Sequence, residues 1–424
     1  MRFYEGNQTG KIPGILPGPP DDGEGDYYWW EGGAMMGTYI DYWHLTGDDS
    51  YNEVVEQGMI HQTGPDFDYQ PENHTRSLGN DDQGFWGMSA MLAAENKFPN
   101  PPDDKPQWLA LAQGVFHTQA APERHDKTCN GGLRWQVPLT NTGYNYKNTI
   151  ANACFFDLGA RLARYTQNQT YADWAEKTFD WLWDVQYINH ETWDVYDGGH
   201  VEENCTDVNK AQFSYNAALL AHGSAFMANY TTGKDRAKWT ERTEKLAARI
   251  IEFFYPEGVH IEIPCEGHRG CTTDMFTFKG YTHRWLSVVT QLVPSTKEMI
   301  LPVLKTSAEA AARQCIGGQS QRTCGFYWQK GEFIDPNADG TTGAGEAMSV
   351  LAAVSSLLIE DADGPATNLT GISRGDNNAG SNSKHTNAGN FKDLTGGDRA
   401  GAVILTILLL GVGVSTWGWM SFRD

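Results

Sequence analysis

The sequence predicts an all-α fold, a toroid built from pairs of inner and outer helices. Three observations carry this reading. Apolar residues recur at helical spacing from residue 1 to about 360 with no break in composition, so this stretch reads as one domain. Eleven segments of helix length can be drawn within it. Those segments also differ in kind. Residues 29–45 and 147–165 carry small and aromatic side chains on several faces, as an inner ring packed all round requires. Residues 235–254 place Lys, Arg and Glu on one side, as an outer ring wet on one face requires. An irregular helical bundle satisfies the same periodicity. A solenoid does not, since no repeat of fixed period is present.

In chain order the segments are 29–45, 51–62, 82–96, 105–119, 147–165, 171–185, 210–229, 235–254, 273–292, 297–314 and 343–358. The loops between them carry Gly, Pro, Asn and Asp, which interrupt helical periodicity. Two short runs read as strands, 193–196 before Asp197-Gly198-Gly199 and 258–263, and they suggest a hairpin. Eleven helices are one short of six pairs. Met1-Arg2-Phe3-Tyr4 leads straight into the polar Glu5-Gly6-Asn7, without the apolar stretch of a signal peptide. The expectation is that the reading frame starts at an internal Met, with the signal peptide and most of the first barrel helix missing.

Composition narrows the function. The 424 residues carry 32 Lys and Arg against 53 Asp and Glu, a net charge of −21, which excludes a basic nucleic-acid-binding face. Fifteen Trp and a 12% aromatic share exclude disorder or a coiled coil for most of the chain and suit a protein that stacks rings on sugars. Six Asn-x-Ser/Thr sequons, at Asn7, Asn73, Asn168, Asn204, Asn229 and Asn368, point to a glycosylated, secreted protein. Seven Cys are present, and the close pairs Cys265/Cys271 and Cys315/Cys324 suit local disulfides in an oxidising compartment. A Cys129–Cys154 bridge is the third expectation, with Cys205 left over. No Cys or His cluster has metal spacing, and His74 has no further ligand beside it, so neither metal nor cofactor is expected.

The C-terminus is the clearest topological signal. Residues 400–422 contain no charge, 390–399 form a polar spacer, and Asn387-Ala388-Gly389 supplies small residues before it. That order is a GPI-attachment signal, with Asn387 as attachment residue. An ordinary single span is the competing reading, although a lone Arg423 is a thin basic flank. The division expected is a catalytic domain over 1–360, a disordered Ser/Asn/Gly-rich stalk over 361–399 and a signal tail over 400–424.

Chemistry concentrates at Gly79-Asn80-Asp81-Asp82-Gln83-Gly84-Phe85-Trp86, where two carboxylates open an apolar helix. One Asp suffices as a cap; a second adds like-charge repulsion. Adjacent carboxylates split their proton affinities, which is the division of labour a glycosidase needs. This run, with Trp29-Trp30-Glu31-Gly32-Gly33-Ala34, Tyr42-Trp43-His44-Leu45-Thr46-Gly47-Asp48, Cys129-Asn130-Gly131-Gly132-Leu133-Arg134-Trp135-Gln136, Tyr146-Lys147-Asn148-Thr149, Ser214-Tyr215-Asn216 and Phe278-Lys279-Gly280, resembles glycoside hydrolase family 76, the α-1,6-mannanases, and within it the fungal GPI-anchored members.

The resemblance implies an (α/α)6 barrel, with Asp81 as nucleophile and Asp82 as acid/base. It also implies a cell-wall enzyme acting on α-1,6-mannan or the mannose core of a GPI glycan, with glucan as an acceptor. A non-catalytic mannan-binding wall protein is the alternative from another class, and the intact Asp pair speaks against it. Around the pair, Trp135 reads as a stacking platform or a core Trp. Asn148, Tyr215 and Asn216 read as donors to mannose hydroxyls or as helix-to-helix hydrogen bonds. Lys279 and Arg284 read as phosphate or sugar ligands or as ion-paired residues. Neighbouring Cα atoms lie about 3.8 Å apart, which favours the close carboxylate spacing of a retaining enzyme.

Overall fold

The computed structural model describes residues 1–20, 23–381 and 396–421. Its helices are α1 Trp29–Thr46, α2 Asn52–His61, α3 Asn80–Glu95, α4 Trp108–Ala120, α5 Thr149–Thr166, α6 Gln169–Asp184, α7 Ser214–Tyr230, α8 Gly233–Phe254, the single turn α9 Ile263–Glu266, α10 Met275–Leu292, α11 Lys297–Ala312, α12 Ala344–Ser355 and α13 Gly396–Ser421. Each of the eleven expected segments is a helix. α5 starts at Thr149 rather than 147 because Asn148 caps it, its side chain accepting the Ala151 N–H at 3.3 Å.

The ring closes through α1, α3, α5, α7, α10 and α12, each packed on the next and α12 on α1. Outside it, α2 lies on α1, α4 on α3, α6 on α5, α8 on α7, and α11 on α10 and α12. The short turn Ser356–Asp361 packs against α1, α10 and α12. This is the (α/α)6 barrel, and all six inner helices are present, α1 included, against the expectation that most of the first barrel helix is missing. The two helix types follow from their sequences. α3 buries every residue except Asp82 and Leu92. α8 buries only Trp239, Thr243, Leu246, Ala247, Ile250 and Phe254, a stripe at spacings of one to four residues. Each large apolar side chain so buried contributes roughly 1.5–3 kcal/mol.

The inner helices run parallel, and an ionic layer closes the barrel toward their C-terminal ends. Arg284 Nε meets Asp41 Oδ2 at 2.5 Å, Arg161 Nη2 meets Glu95 Oε2 at 2.6 Å, and Asp157 lies 3.3 Å from Arg161 and 2.7 Å from His222 Nδ1. The cavity left there is about 20 Å³, so the barrel is a cup closed at one end.

Three expectations are corrected. Residues 193–196 and 258–263 form no hairpin. Instead β1 Tyr146–Asn148 pairs antiparallel with β2 Gly198–His200, while Val195 bridges Ile188. Gly198 permits this approach, because a Cβ there would stand 2.5 Å from the Lys147 carbonyl oxygen. A second ladder joins β3 Cys315–Gly317 to β4 Thr323–Cys324.

The disulfides Cys265–Cys271 and Cys315–Cys324 form as expected, but Cys129 pairs with Cys205, not Cys154. Cys154 is free and buried, since it faces Gly84 of α3 inside the barrel.

Finally, the expected stalk does not begin at 361. Residues 363–381 lie along the barrel, with Ala366 and Ser373 buried. Asn387 lies outside the described residues. All six sequon asparagines are exposed. In α13 the apolar side chains Val403, Ile404, Leu405 and Leu408 are exposed.

Candidate active site

The N-terminal ends of α1, α3, α5, α7 and α10 meet at the open end of the cup, around a cleft of about 880 Å³. Parallel inner helices thus aim five positive dipole ends at one space, an arrangement that favours anionic groups there. The cleft holds Asp81, Asp82, Asp197 and Asp274, while Arg76 is the one Lys or Arg among its lining residues.

Asp81 and Asp82 occupy the first turn of α3. The Gly79 N–H donates to Asp82 Oδ2 at 2.8 Å, and the Asp82 N–H donates to Asp81 Oδ1 at 3.1 Å. Burial pushes the Asp81 carboxyl well above its ordinary range, and the neighbouring Asp82 adds to that; the Trp135 side chain, hydrogen-bonded to Asp81, pulls the other way. Burial lifts Asp82 to about 6, opposed by the Gly79 N–H. Two such groups titrate as a pair, each raising the other's proton affinity.

Gly79 fixes the spacing of the pair. A Cβ there would fall against Asp81 Oδ1 and 3.0 Å from Asp82 Oδ2, so those two oxygens are no more than about 5.3 Å apart. Gly79→Ala should therefore push the carboxylates apart and lower kcat about 100-fold with the melting temperature little changed. Steady-state kinetics beside a thermal melt checks it, and unchanged kcat would contradict the fixed spacing.

Aromatic rings wall the cleft. Tyr215 stacks on Phe278 with centroids 3.8 Å apart and 5° between planes. Trp29 stacks on His74 at 5.1 Å, and burial holds His74 neutral, its pKa down to about 4. Trp135, Asn148 and Tyr215 line the cleft. Asn216 does not; it is fully buried within the ring. Lys279 is buried behind the wall, 2.6 Å from Glu266, with its ammonium donating to the Phe326 carbonyl at 2.7 Å. Arg284 belongs to the closed floor, paired with Asp41. Both are structural ion pairs, because a long basic side chain on a fully enclosed helix must find an acid.

Sequence reasoning missed Asp274 and Tyr146 as lining residues. Asp274 precedes α10 as Asp81 and Asp82 open α3, and the same positional signal could have found it. Its Oδ1 has no hydrogen-bond partner, and burial, then Asp82, raises its carboxyl to about 7. Tyr146 donates its hydroxyl to Asp197 at 2.7 Å.

The loop that delivers Trp135 is wound around one buried ammonium. Cys129, Asn130, Gly131 and Gly132 all have positive φ. Lys147 Nζ donates to the carbonyls of Thr128, Gly131 and Gly132 at 2.9, 2.7 and 3.1 Å, and to Asp126 Oδ1 at 2.9 Å. Against the pull of burial, Thr128 and Lys147 hold Asp126 down at about 2. The loop then runs into Trp135, whose carbonyl accepts the Asn80 N–H at 2.8 Å and whose N–H donates to Tyr146 at 2.7 Å.

So many raised acids make stability pH-dependent. Burial first, then neighbouring groups, sets Glu262 and Glu346 at about 7 alongside Asp82 and Asp274. Each contributes stability that is complete below the unfolded value near 4 and lost as pH rises through 6–7. The melting temperature should fall between pH 5 and pH 8, and Glu262→Gln should flatten the fall. A curve that rises over that interval would contradict the burial of these acids.

The chain matches the Glycosyl hydrolase family 76 over residues 1–369. Mannan endo-1,6-alpha-mannosidase DCW1 of Saccharomyces cerevisiae is 44% identical over 411 residues, 96% of this chain and 88% of that protein. Mannan endo-1,6-alpha-mannosidase DFG5 of the same yeast is 41% identical over 426 residues, 100% and 90% of the two chains. The crystal structure of Dfg5 from Chaetomium thermophilum in complex with glucosamine superposes with a TM-score of 0.89 at 73% identity, covering 91% of this chain and 93% of that one. An inactive variant of the α-1,6-mannanase of Salegentibacter sp., in complex with α-1,6-mannotriose, shares the fold at a TM-score of 0.62 and 18% identity, over 82% and 94%. On the family match over most of its length and the near full-length relatives, the chain belongs to glycosyl hydrolase family 76.

Proposed function

We propose that this protein is a retaining α-1,6-mannosidase whose second step can deliver mannose to a sugar acceptor. The observation that carries the reading is the adjacent carboxylate pair, with Asp81 Oδ1 and Asp82 Oδ2 no more than about 5.3 Å apart in an acidic, aromatic-walled cleft. Retaining enzymes place their carboxyls about 5–5.5 Å apart, whereas inverting ones leave room for water between them.

Asp81 is the nucleophile. Burial and the neighbouring Asp82 disfavour its anion, and the Asp82 N–H, the Trp135 side chain and the N-terminus of α3 oppose them. Asp82 is the acid, with Oδ2 occupied by the Gly79 N–H and Oδ1 left to carry the proton. In the first step Asp81 bonds to the anomeric carbon, the glycosidic C–O bond breaks, and Asp82 protonates the departing oxygen. In the second, Asp82 takes a proton from the incoming hydroxyl, which attacks the anomeric carbon and releases Asp81. Water or a sugar serves equally as that hydroxyl, so atoms balance in both outcomes.

The names of the relatives support α-1,6-linked mannose as the donor. The glucosamine held by the Chaetomium structure suits a cleft with four carboxylates, which attract an ammonium. A GPI-glycan core as donor, β-glucan as acceptor, and attachment to the cell surface and wall through a GPI anchor at Asn387 complete the proposal; the exposed sequons agree with a secreted glycoprotein.

Incubating the protein with a defined α-1,6-mannosyl GPI-type donor, with and without a glucan acceptor, tests it. A mannosylated glucan supports transfer, and free sugar alone reduces the reading to a hydrolase. Binding without turnover would favour a mannan-binding wall protein instead.

A further inference from the structure

Residues 363–381 are mostly polar or small, yet they are laid along the barrel in strict order. His44 Nε2 lies 3.0 Å from the Asp363 carbonyl, and Lys97 Nζ lies 3.5 Å from its carboxylate, both at the closed end. The Ala366 and Asn368 N–H groups donate to the carbonyls of Glu95 and Tyr165 at 2.8 Å, still at that end. Then the strand of chain climbs α4. Ser373 Oγ accepts the Leu109 N–H at 2.9 Å, Gln113 Oε1 accepts the Asp376 N–H at 2.7 Å, and His117 Nδ1 meets the Ala379 carbonyl at 2.8 Å. Gly380 sits so close to the Gly114 carbonyl and Thr118 that no Cβ would fit. From Leu109 to His117 the climb is about 12 Å at 1.5 Å per residue.

The top of α4 is the catalytic end. Gln119, two residues past His117, donates to the Asn80 carbonyl at 2.6 Å, and Asn80 precedes Asp81. From the closed end of the cup the chain therefore runs to its mouth, where the described segment ends at Ser381. Ordering nineteen residues costs about 1–2 kcal/mol each before contacts offset it, so a polar segment held at points from Asp363 to Gly380 marks a specific fit.

We propose that this strap orients the barrel on a lipid surface, with the mouth of the cleft turned toward the membrane. The inference rests on the anchoring reading above and extends it. With the anchor at Asn387, only six residues follow Ser381, a reach of at most about 22 Å. Without the strap the tether would start near Ala362 at the closed end and span about 90 Å, enough to present any face. The partner is the bilayer that carries the lipid-linked donor. The strap sets the cleft over it.

The test uses the full chain isolated with its lipid anchor and reconstituted in phosphatidylcholine vesicles containing an acceptor-labelled lipid. One dye is placed through Leu139→Cys, exposed beside the mouth, and another, separately, through Asp49→Cys, exposed beyond the end of α1; Cys154 is buried. Energy transfer to the bilayer should be at least twice as efficient from position 139 as from 49. In Gln113→Ala combined with His117→Ala the two efficiencies should converge, while turnover of a soluble α-1,6-mannoside stays within twofold. Equal or reversed efficiencies in the parent chain overturn the orientation while leaving the anchor in place. Protein that carries no lipid and stays off the vesicles overturns the anchoring reading, and the orientation with it.

Discussion

Asp81→Asn should abolish turnover, and Asp82→Asn should slow it by about 10²–10⁴-fold, the range for a general acid and base. The two losses differ in kind. Without Asp81 no covalent mannosyl intermediate forms, and nothing in the cleft replaces it; Asp274 faces Asp82 instead. Without Asp82 the leaving oxygen departs unprotonated, so activity should survive toward aryl mannosides with good leaving groups. Azide, a nucleophile that needs no base, should then partly restore the second step and give a mannosyl azide. Equal loss on every substrate, with no azide effect, would place the acid elsewhere. Both variants should fold, because each replaces a burial-strained acid by a neutral group of the same shape.

Lys147→Met should produce the largest loss among residues outside the cleft. It removes a fully buried ammonium, leaves three inward-facing carbonyls without their donor, and leaves Asp126 paired with Arg134 alone. Breaking a buried pair costs about 3–5 kcal/mol; Asp126 is one-third exposed, so roughly 3 kcal/mol is expected here. The remaining effect is kinetic. The loop would no longer hold Trp135 on Asp81, so kcat should fall more than tenfold and the acidic limb of the pH profile should move to higher pH, because the Asp81 anion loses a donor. Lys147→Arg should not rescue, since a planar guanidinium cannot donate to oxygens arranged around a point. A variant that melts lower but keeps its pH profile would make Lys147 a stability element only.

How far the sequence reaches depends on whether information is local. The eleven helices were legible because apolar spacing is a local property, and the inner-to-outer contrast because α3 and α8 differ so plainly in where their polar residues fall. The Asp pair was legible for the same reason. Asp274 was not, because a lone Asp at a helix start has an ordinary role as a cap. Lys279 and Arg284 misled: a basic residue reads alike whether it faces ligand or a buried acid, and Glu266 and Asp41 lie 13 and 243 positions away. Pairing Cys129 with Cys154 followed nearness in sequence; Cys205 reaches Cys129 through the β1–β2 ladder, which periodicity does not reveal. The strap misled by composition. Gly, Ser and Asn are the residues of a disordered stalk and also those of a chain laid flat on a helix, where Gly371, Gly375 and Gly380 leave no room for a Cβ.

The central claim is that two adjacent carboxylates, held by Gly79 and Trp135, carry out retention through a mannosyl-enzyme. Proton NMR of the first product formed from an α-1,6-mannoside donor, recorded before mutarotation, tests it most directly. The structure predicts α-mannose, or an α-linked transfer product when a sugar acceptor is present. β-Mannose as the first anomer would contradict the account, removing both the covalent intermediate on Asp81 and the transfer step built on it.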